Sequence, residues 1–258
     1  MKLSRRQALG SLMVGANAAA LKSAAADEAK GGTQTPAEQA GGTCTLFPQA
    51  VEGPYYFDPQ NVRTDITEGR PGLPLALHLK IIDLDSCRPM ANVRVDVWHA
   101  DASGVYSGYA GQGDARDVST KGQTYLRGTQ MTGASGNVQF KTVYPGWYPG
   151  RTPHIHIKAF LDHATMLTGQ AYFPDATSAR IYREVEPYKA RPVADTSNDT
   201  DWLYQSGVKE GGGIVFVMDE AASPMVAGLV IAVDRSGEAE RKSGGWRGML
   251  RGLWGGGQ

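Results

Sequence analysis

Seven short runs rich in β-branched and aromatic residues, each closed by Gly, Pro, Asp or Asn, recur along the chain and commit it to strands. They are LALHLKIIDL (75–84), VRVDVWHA (93–100), TYLRGTQMT (124–132), NVQFKTV (137–143), HIHIKAFL (154–161), GIVFVMD (213–219) and GLVIAVD (228–234). Their length and turn-forming flanks suit half-buried strands. In VRVDVWHA the two-residue period puts Val93, Val95 and Val97 on one face and Arg94, Asp96 and Trp98 on the other. The expected fold is all-β, a β-sandwich with long loops and little helix. Residues 132–137 (TGASGN) read as a hairpin connection, and one short helix is expected around 177–187. The polar connections 101–123 and 186–212 exceed the usual loop length, so they are functional or packed over something.

With 258 residues and 41% hydrophobic content the chain can bury one substantial core, placed at 44–235. Residues 1–26 read as a twin-arginine-like export signal: Arg5-Arg6 precedes a short apolar stretch, too short to span a bilayer, and Ala24-Ala25-Ala26 offers a cleavage site. That segment holds four basic residues and no acid, leaving 22 basic against 26 acidic residues in the remainder, which excludes an electrostatic nucleic-acid binder. Residues 27–43 lack aromatic and branched aliphatic side chains and form a disordered linker. The Gly-rich stretch 236–258 reads as a flexible tail, its glycines weakening any amphipathic helix in WRGMLRGLW (246–254). Export exposes the two cysteines, Cys44 and Cys87, to an oxidising compartment, where pairing is expected.

Function is sought in GWYPGRTPHIHI (146–157). On a strand His154 and His156 share one side with Cα atoms about 7 Å apart, while Ile155 and Ile157 face the other. Two imidazoles held this way can meet one metal ion, but two surface histidines on an ordinary strand have the same spacing. Tyr144, Trp147 and Tyr148 interleave with Pro145, Gly146, Pro149 and Gly150, more aromatic surface than a plain turn needs. Arg151, permanently charged, is available to stabilise an anion. The nearest acid after the histidines is Asp162, too far for a cupin-like site, and a zinc hydrolase would want a third His or a carboxylate.

Together with DVWHADASGVYSGY (96–109) and TGQAYFPD (168–175), this segment resembles the intradiol ring-cleavage dioxygenases, particularly the protocatechuate 3,4-dioxygenase type and its exported, single-domain members. EGPYYFD (52–58) and YLRGTQMTGASGNVQF (125–140) extend the resemblance, which runs from about Cys44 to Asp201. It implies a non-haem Fe(III) bound by Tyr106 of Gly104-Val105-Tyr106, Tyr148 of Pro145-Gly146-Trp147-Tyr148, His154 and His156. Phenolates are hard anionic donors suited to a trivalent ion. Tyr148 is then the ligand displaced by the substrate and takes up its proton, Tyr106 and His154 stay equatorial, and His156 is axial. Arg151 stabilises negative charge on the ring, Gln170 stands near the substrate, and Gly53-Pro54-Tyr55-Tyr56 forms a cavity wall. The implied reaction opens a catechol-type ring between its hydroxylated carbons with O2, giving a cis,cis-muconate-type dicarboxylic acid.

Tyr109 and Tyr144 are read as packing residues, with Tyr109 the substitute should Tyr106 not be a ligand. His78, His99 and His163 fall outside the matching positions, His99 as a hydrogen-bonded structural residue, and Trp147 lines the pocket or only covers it. The helical dimerisation domain of the catechol-cleaving branch is not expected, and the substrate and oligomeric state stay open. Two alternatives remain: a transthyretin-like binding module that has lost catalysis, and a copper or zinc site on the same fold.

Overall fold

Leu75, Leu77, Leu79 and Ile81 are buried and alternate with more exposed residues along β1 (Pro74–Asp83), as in a strand with one face on a core. The computed structural model describes residues 44–58, 60–209 and 214–238; the export signal, the linker and residues 246–254 of the tail lie outside them. The other strands are β2 (Arg94–Trp98), β3 (Arg127–Met131), β4 (Asn137–Val143), β5 (His154–Leu161), β6 (Ala164–Tyr172), β7 (Val217–Asp219) and β8 (Met225–Val233). They form two four-stranded sheets of order β4-β1-β8-β7 and β3-β2-β5-β6. The second sheet is antiparallel throughout, whereas β1 and β8 pair in parallel at the centre of the first. Val95, Val97, Ile155 and Ile157 join the β1, β4 and β8 aliphatics in one core cluster, so the expected β-sandwich is the fold.

Three expectations need correction. Residues 132–137 do not close a hairpin: β3 and β4 lie in different sheets, so the turn steps from one layer to the other. Thr132 anchors that step, its hydroxyl donating to Met90 O at 2.7 Å and accepting from Val93 N at 2.9 Å. The sequence pattern also passed over β6, which is buried on both faces over most of its length and therefore shows no alternation. The connection 186–212 is not all loop. After the first helix, α1 (Asp175–Glu184), and a 3-10 turn at Tyr188–Ala190, it carries a second helix, α2 (Trp202–Lys209). Asp201 caps α2 by accepting from Leu203 N at 2.8 Å and Tyr204 N at 3.1 Å, an N-cap on a helix too short for a strong apolar period.

His99 ties the two sheets together just after β2. Its Nδ1 donates to Ala100 O at 2.8 Å, because a carbonyl can only accept, and its Nε2 accepts from the Thr142 hydroxyl of β4 at 2.6 Å. Burial depresses its pKa from 6.5 to about 4. The unfolded chain therefore binds a proton that the native state refuses, and stability is fully present above pH 6.5 and lost as pH falls toward 4. Unfolding free energies measured at pH 7 and pH 4.5 should show the wild type losing up to about 3 kcal/mol more than H99Q.

Cys44 and Cys87 are joined in a disulfide, as expected, with Cα atoms 5.7 Å apart. The bond ties the first described residue to the turn after β1. Closing a loop across a sequence separation of 43 residues removes denatured-state entropy worth about 4 kcal/mol. Denaturant unfolding of the C44S/C87S double variant should show a loss of that order.

Candidate metal centre

Strand register sets four side chains abreast on the outer face of the second sheet: Arg127 on β3 pairs with Trp98 on β2, Trp98 with His156 on β5, and His156 with Gln170 on β6. All four are buried. The next pair along, His154 and Tyr172, is buried as well. A sandwich normally leaves this face to water, but here residues 52–58 cross it. Tyr56 packs on Trp98 at 4.7 Å and donates to Asp96 at 2.9 Å, Glu52 pairs with Lys158, and Asp58 pairs with Arg94.

The phenols of Tyr106 and Tyr148 meet the two imidazoles in the space so enclosed. His154 Nε2 lies 3.4 Å from Tyr106 Oη, 3.1 Å from Tyr148 Oη and 3.2 Å from His156 Nε2, and Tyr106 Oη lies 3.2 Å from His156 Nε2. His154 Nδ1 donates to Thr152 O at 2.7 Å, so its Nε2 presents a bare lone pair to the group. Burial, and then the charge of Arg151, hold both histidines well below their ordinary pKa, so both are neutral and able to ligate. Burial raises the phenols of Tyr106 and Tyr148, which ionise here only against a cation.

This donor set fits the metal that the resemblance implies. Separations of 3.1–3.4 Å are those of neighbouring ligand atoms around a metal held at about 2.0–2.2 Å. Among the described residues no three His, Cys, Asp or Glu side chains gather, so it is the phenols that complete the site. Such a half-phenolate set favours a hard trivalent ion over zinc.

Each phenol hangs from a loop, and each loop carries a glycine two residues earlier. At Gly104 (φ +78°) an added Cβ would lie 2.1 Å from Trp147 O, and at Gly146 it would lie 2.4 Å from Ala102 O and 2.5 Å from Asp101 O. The two backbones touch where any side chain would part them, and this contact sets the spacing of Tyr106 and Tyr148. Asp101 holds the first loop in shape, its carboxylate accepting from Ser103 N and Val105 N and its carbonyl from Gly146 N.

Arg151 links the site to α2. Its Nε donates to Asp201 Oδ2 at 2.8 Å, Nη1 to Tyr148 Oη at 3.3 Å, and Nη2 to Gln170 Oε1 at 2.5 Å. Burial would lower its pKa, but the neighbouring Tyr148 and Tyr172 and the fully buried Asp201 outweigh burial and raise it. Gln170 also accepts from Tyr172 Oη and donates to Val51 O. Sequence reasoning missed Asp201 and Tyr172; an acid just before a short helix was the signal for the first.

The remaining residues also find their places. Tyr109 donates to Tyr56 O and Tyr144 bonds Ser178, so neither joins the donor group. Tyr55 stacks on Tyr106 at 4.7 Å. Trp147 belongs to the main core, apart from the aromatic cluster of Trp98, Tyr106 and Tyr148, and carries Arg191 over its ring. His163 sits in the turn between β5 and β6, and His78 on β1 belongs to the other sheet.

Comparison with known proteins identifies the family. The family described as "Dioxygenase" matches residues 51–181, just over half of the chain. A solved intradiol ring-cleavage dioxygenase from Tetranychus urticae is 31% identical, with a TM-score of 0.66 over 74% of this chain and 95% of that one. The chain belongs to the intradiol ring-cleavage dioxygenases. Catechol 1,2-dioxygenase 1 of Acinetobacter lwoffii is 30% identical over 146 residues, covering 48% of this chain and 45% of the relative. The protocatechuate 3,4-dioxygenase beta chain of Burkholderia cepacia is 33% identical over 128 residues, covering 46% and 52%. The chain thus spans about half the length of these curated relatives.

Substitution G146A should force the two tyrosine loops apart, at a cost of about 1–3 kcal/mol. A lowered denaturation midpoint together with reduced metal content in the purified variant would report both effects.

Proposed function

We propose that this dioxygenase uses non-haem Fe(III) to open a catechol-type ring between its two hydroxylated carbons with O2, releasing a cis,cis-muconate-type dicarboxylic acid. The observation that carries this reading is the convergence of two phenol oxygens and two imidazole nitrogens on one buried point. Tyr106, Tyr148, His154 and His156 would hold the iron. When bound, the metal supplies a chelation site for the two diol oxygens and makes the ring reactive toward O2.

The chain's own groups divide the remaining work. Tyr106 is 1% exposed and stacked, whereas Tyr148 is partly exposed in a tight turn, its backbone bridged to Arg151. Tyr148 is therefore the phenolate free to swing away and accept a substrate proton at Oη, with Arg151 Nη1 holding that oxygen until it does. Arg151 is clamped by Asp201 and Gln170, so its charge is already oriented toward negative charge developing on the ring. Tyr55, Trp98 and Tyr172 supply flat aromatic surface around the donors, which suits a planar ring and excludes water.

We also propose that the protein is exported, through the twin-arginine-like segment at 1–26. The disulfide supports an oxidising destination. No helix of the described residues is long and apolar enough to cross a membrane.

Protein purified from iron-replete cells should contain iron, absorb in the visible through phenolate-to-iron charge transfer, and consume O2 with a catechol. Y106F should lose or shift the absorption and fall at least about 100-fold in turnover. A colourless, iron-free wild-type preparation would overturn the reading, and zinc or copper in its place would favour the alternative metals.

A further inference from the structure

Arg127 is a guanidinium sealed inside the protein without a carboxylate. It is 1% exposed, and among the described residues no acid pairs with it. Nε donates to Ser107 Oγ at 2.8 Å and Nη2 to Ser107 O at 2.8 Å, while Nη1 is buried with no partner. Phe57 covers the guanidinium at 4.3 Å, with Tyr109 further out at 5.7 Å. Burial lowers its pKa to about 10, which leaves it charged at neutral pH. An uncompensated buried charge is costly, and a fold that keeps one tends to put it to use.

Its two bonds end on one residue, the neighbour of Tyr106. Ser107 is itself fully buried, and its hydroxyl donates to Tyr125 O at 2.7 Å while accepting from Arg127, so both the side chain and the main chain of Ser107 are fixed. On the other side Tyr106 N donates to Gln112 Oε1 at 3.1 Å, and Tyr106 O accepts from the Thr120 hydroxyl at 2.7 Å. Tyr106 itself lies outside any strand, and Arg127 delivers the grip of β3 to its loop. Arg127 also stands in the same cross-sheet row as His156, two strands away, so one rigid row places both an imidazole and, through Ser107, a phenol.

We propose that Arg127 is a positioning residue for Tyr106: by holding both oxygens of Ser107 it fixes the phenol in the four-donor group. Each phenol then has its own arginine. Arg151 touches the Tyr148 hydroxyl directly, whereas Arg127 acts on Tyr106 through the adjoining backbone. This role rests on the iron reading above. Lys cannot reproduce it, because a single ammonium lacks the planar fork that reaches two acceptors at fixed spacing.

The test compares wild type, R127M, R127K and S107A for iron affinity, for the position of the charge-transfer band, and for near-ultraviolet circular dichroism as a check on folding. R127M and R127K should each bind iron about 10- to 100-fold more weakly, the range for outer-shell partners of metal ligands, and shift the band. S107A, which keeps the arginine and loses one acceptor, should move both readouts the same way by less, and it decides the matter if the Arg127 variants fail to fold. A coloured wild type whose folded R127M or S107A keeps native affinity and band position overturns the role of Arg127 alone. Full restoration by R127K overturns it also, assigning the effect to charge rather than to the two-point hold. A wild type that takes up no iron overturns the metal reading, and this one with it.

Discussion

The structure turns on a sheet that is buried on both faces. One face of β5 presents Ile155 and Ile157 to the core, and the other presents His154 and His156 to a space that must also be dry. Imidazoles, a guanidinium and an amide placed on such a face need partners, since an unsatisfied buried polar group costs about 1–3 kcal/mol. The long connections answer that demand. Residues 52–58 strap across Trp98, the loop after β2 brings Tyr106 and Ser107, and the segment leading into α2 brings Asp201. The loops are long because they cover a second interior.

Precision in that interior comes from contacts that tolerate no adjustment. Backbone meets backbone at Gly104 and Gly146, and Asp201 joins Arg151 to the first turn of a helix. Rigid sheet geometry fixes the histidines and transmits position outward to the loops by a few short polar bonds. The asymmetry between the two phenols follows: Tyr106 is enclosed by neighbours on all sides, while Tyr148 sits at the rim beside solvent-facing Pro149 and Gly150.

The strands with clean alternation were legible in the sequence, because a period of two is a direct record of one buried face. β6 was not, since burial of both faces erases the alternation, and the crossing at 132–137 was misread because a turn signal does not say which sheet receives the next strand. The His-x-His spacing pointed to His154 and His156, and the resemblance named Tyr106, Tyr148, Arg151 and Gln170, which the fold gathers around them. Asp201, Tyr172 and Ser107 were not legible: Asp201 and Ser107 act through contacts with segments far along the chain, and only Asp201, an acid just before a short helix, carries a local mark.

The parallel pairing of β1 with β8 carries a consequence for biogenesis. Leu75 lies opposite Met225, so the centre of the first sheet joins the first of the described strands to the last of them. A nascent chain on the ribosome holds β1 with one long edge unpartnered until β8 has emerged, and contacts of such separation form slowly. The sheet therefore closes late, and the exposed edge in the interval is the point at which the young chain most needs shielding from its own kind.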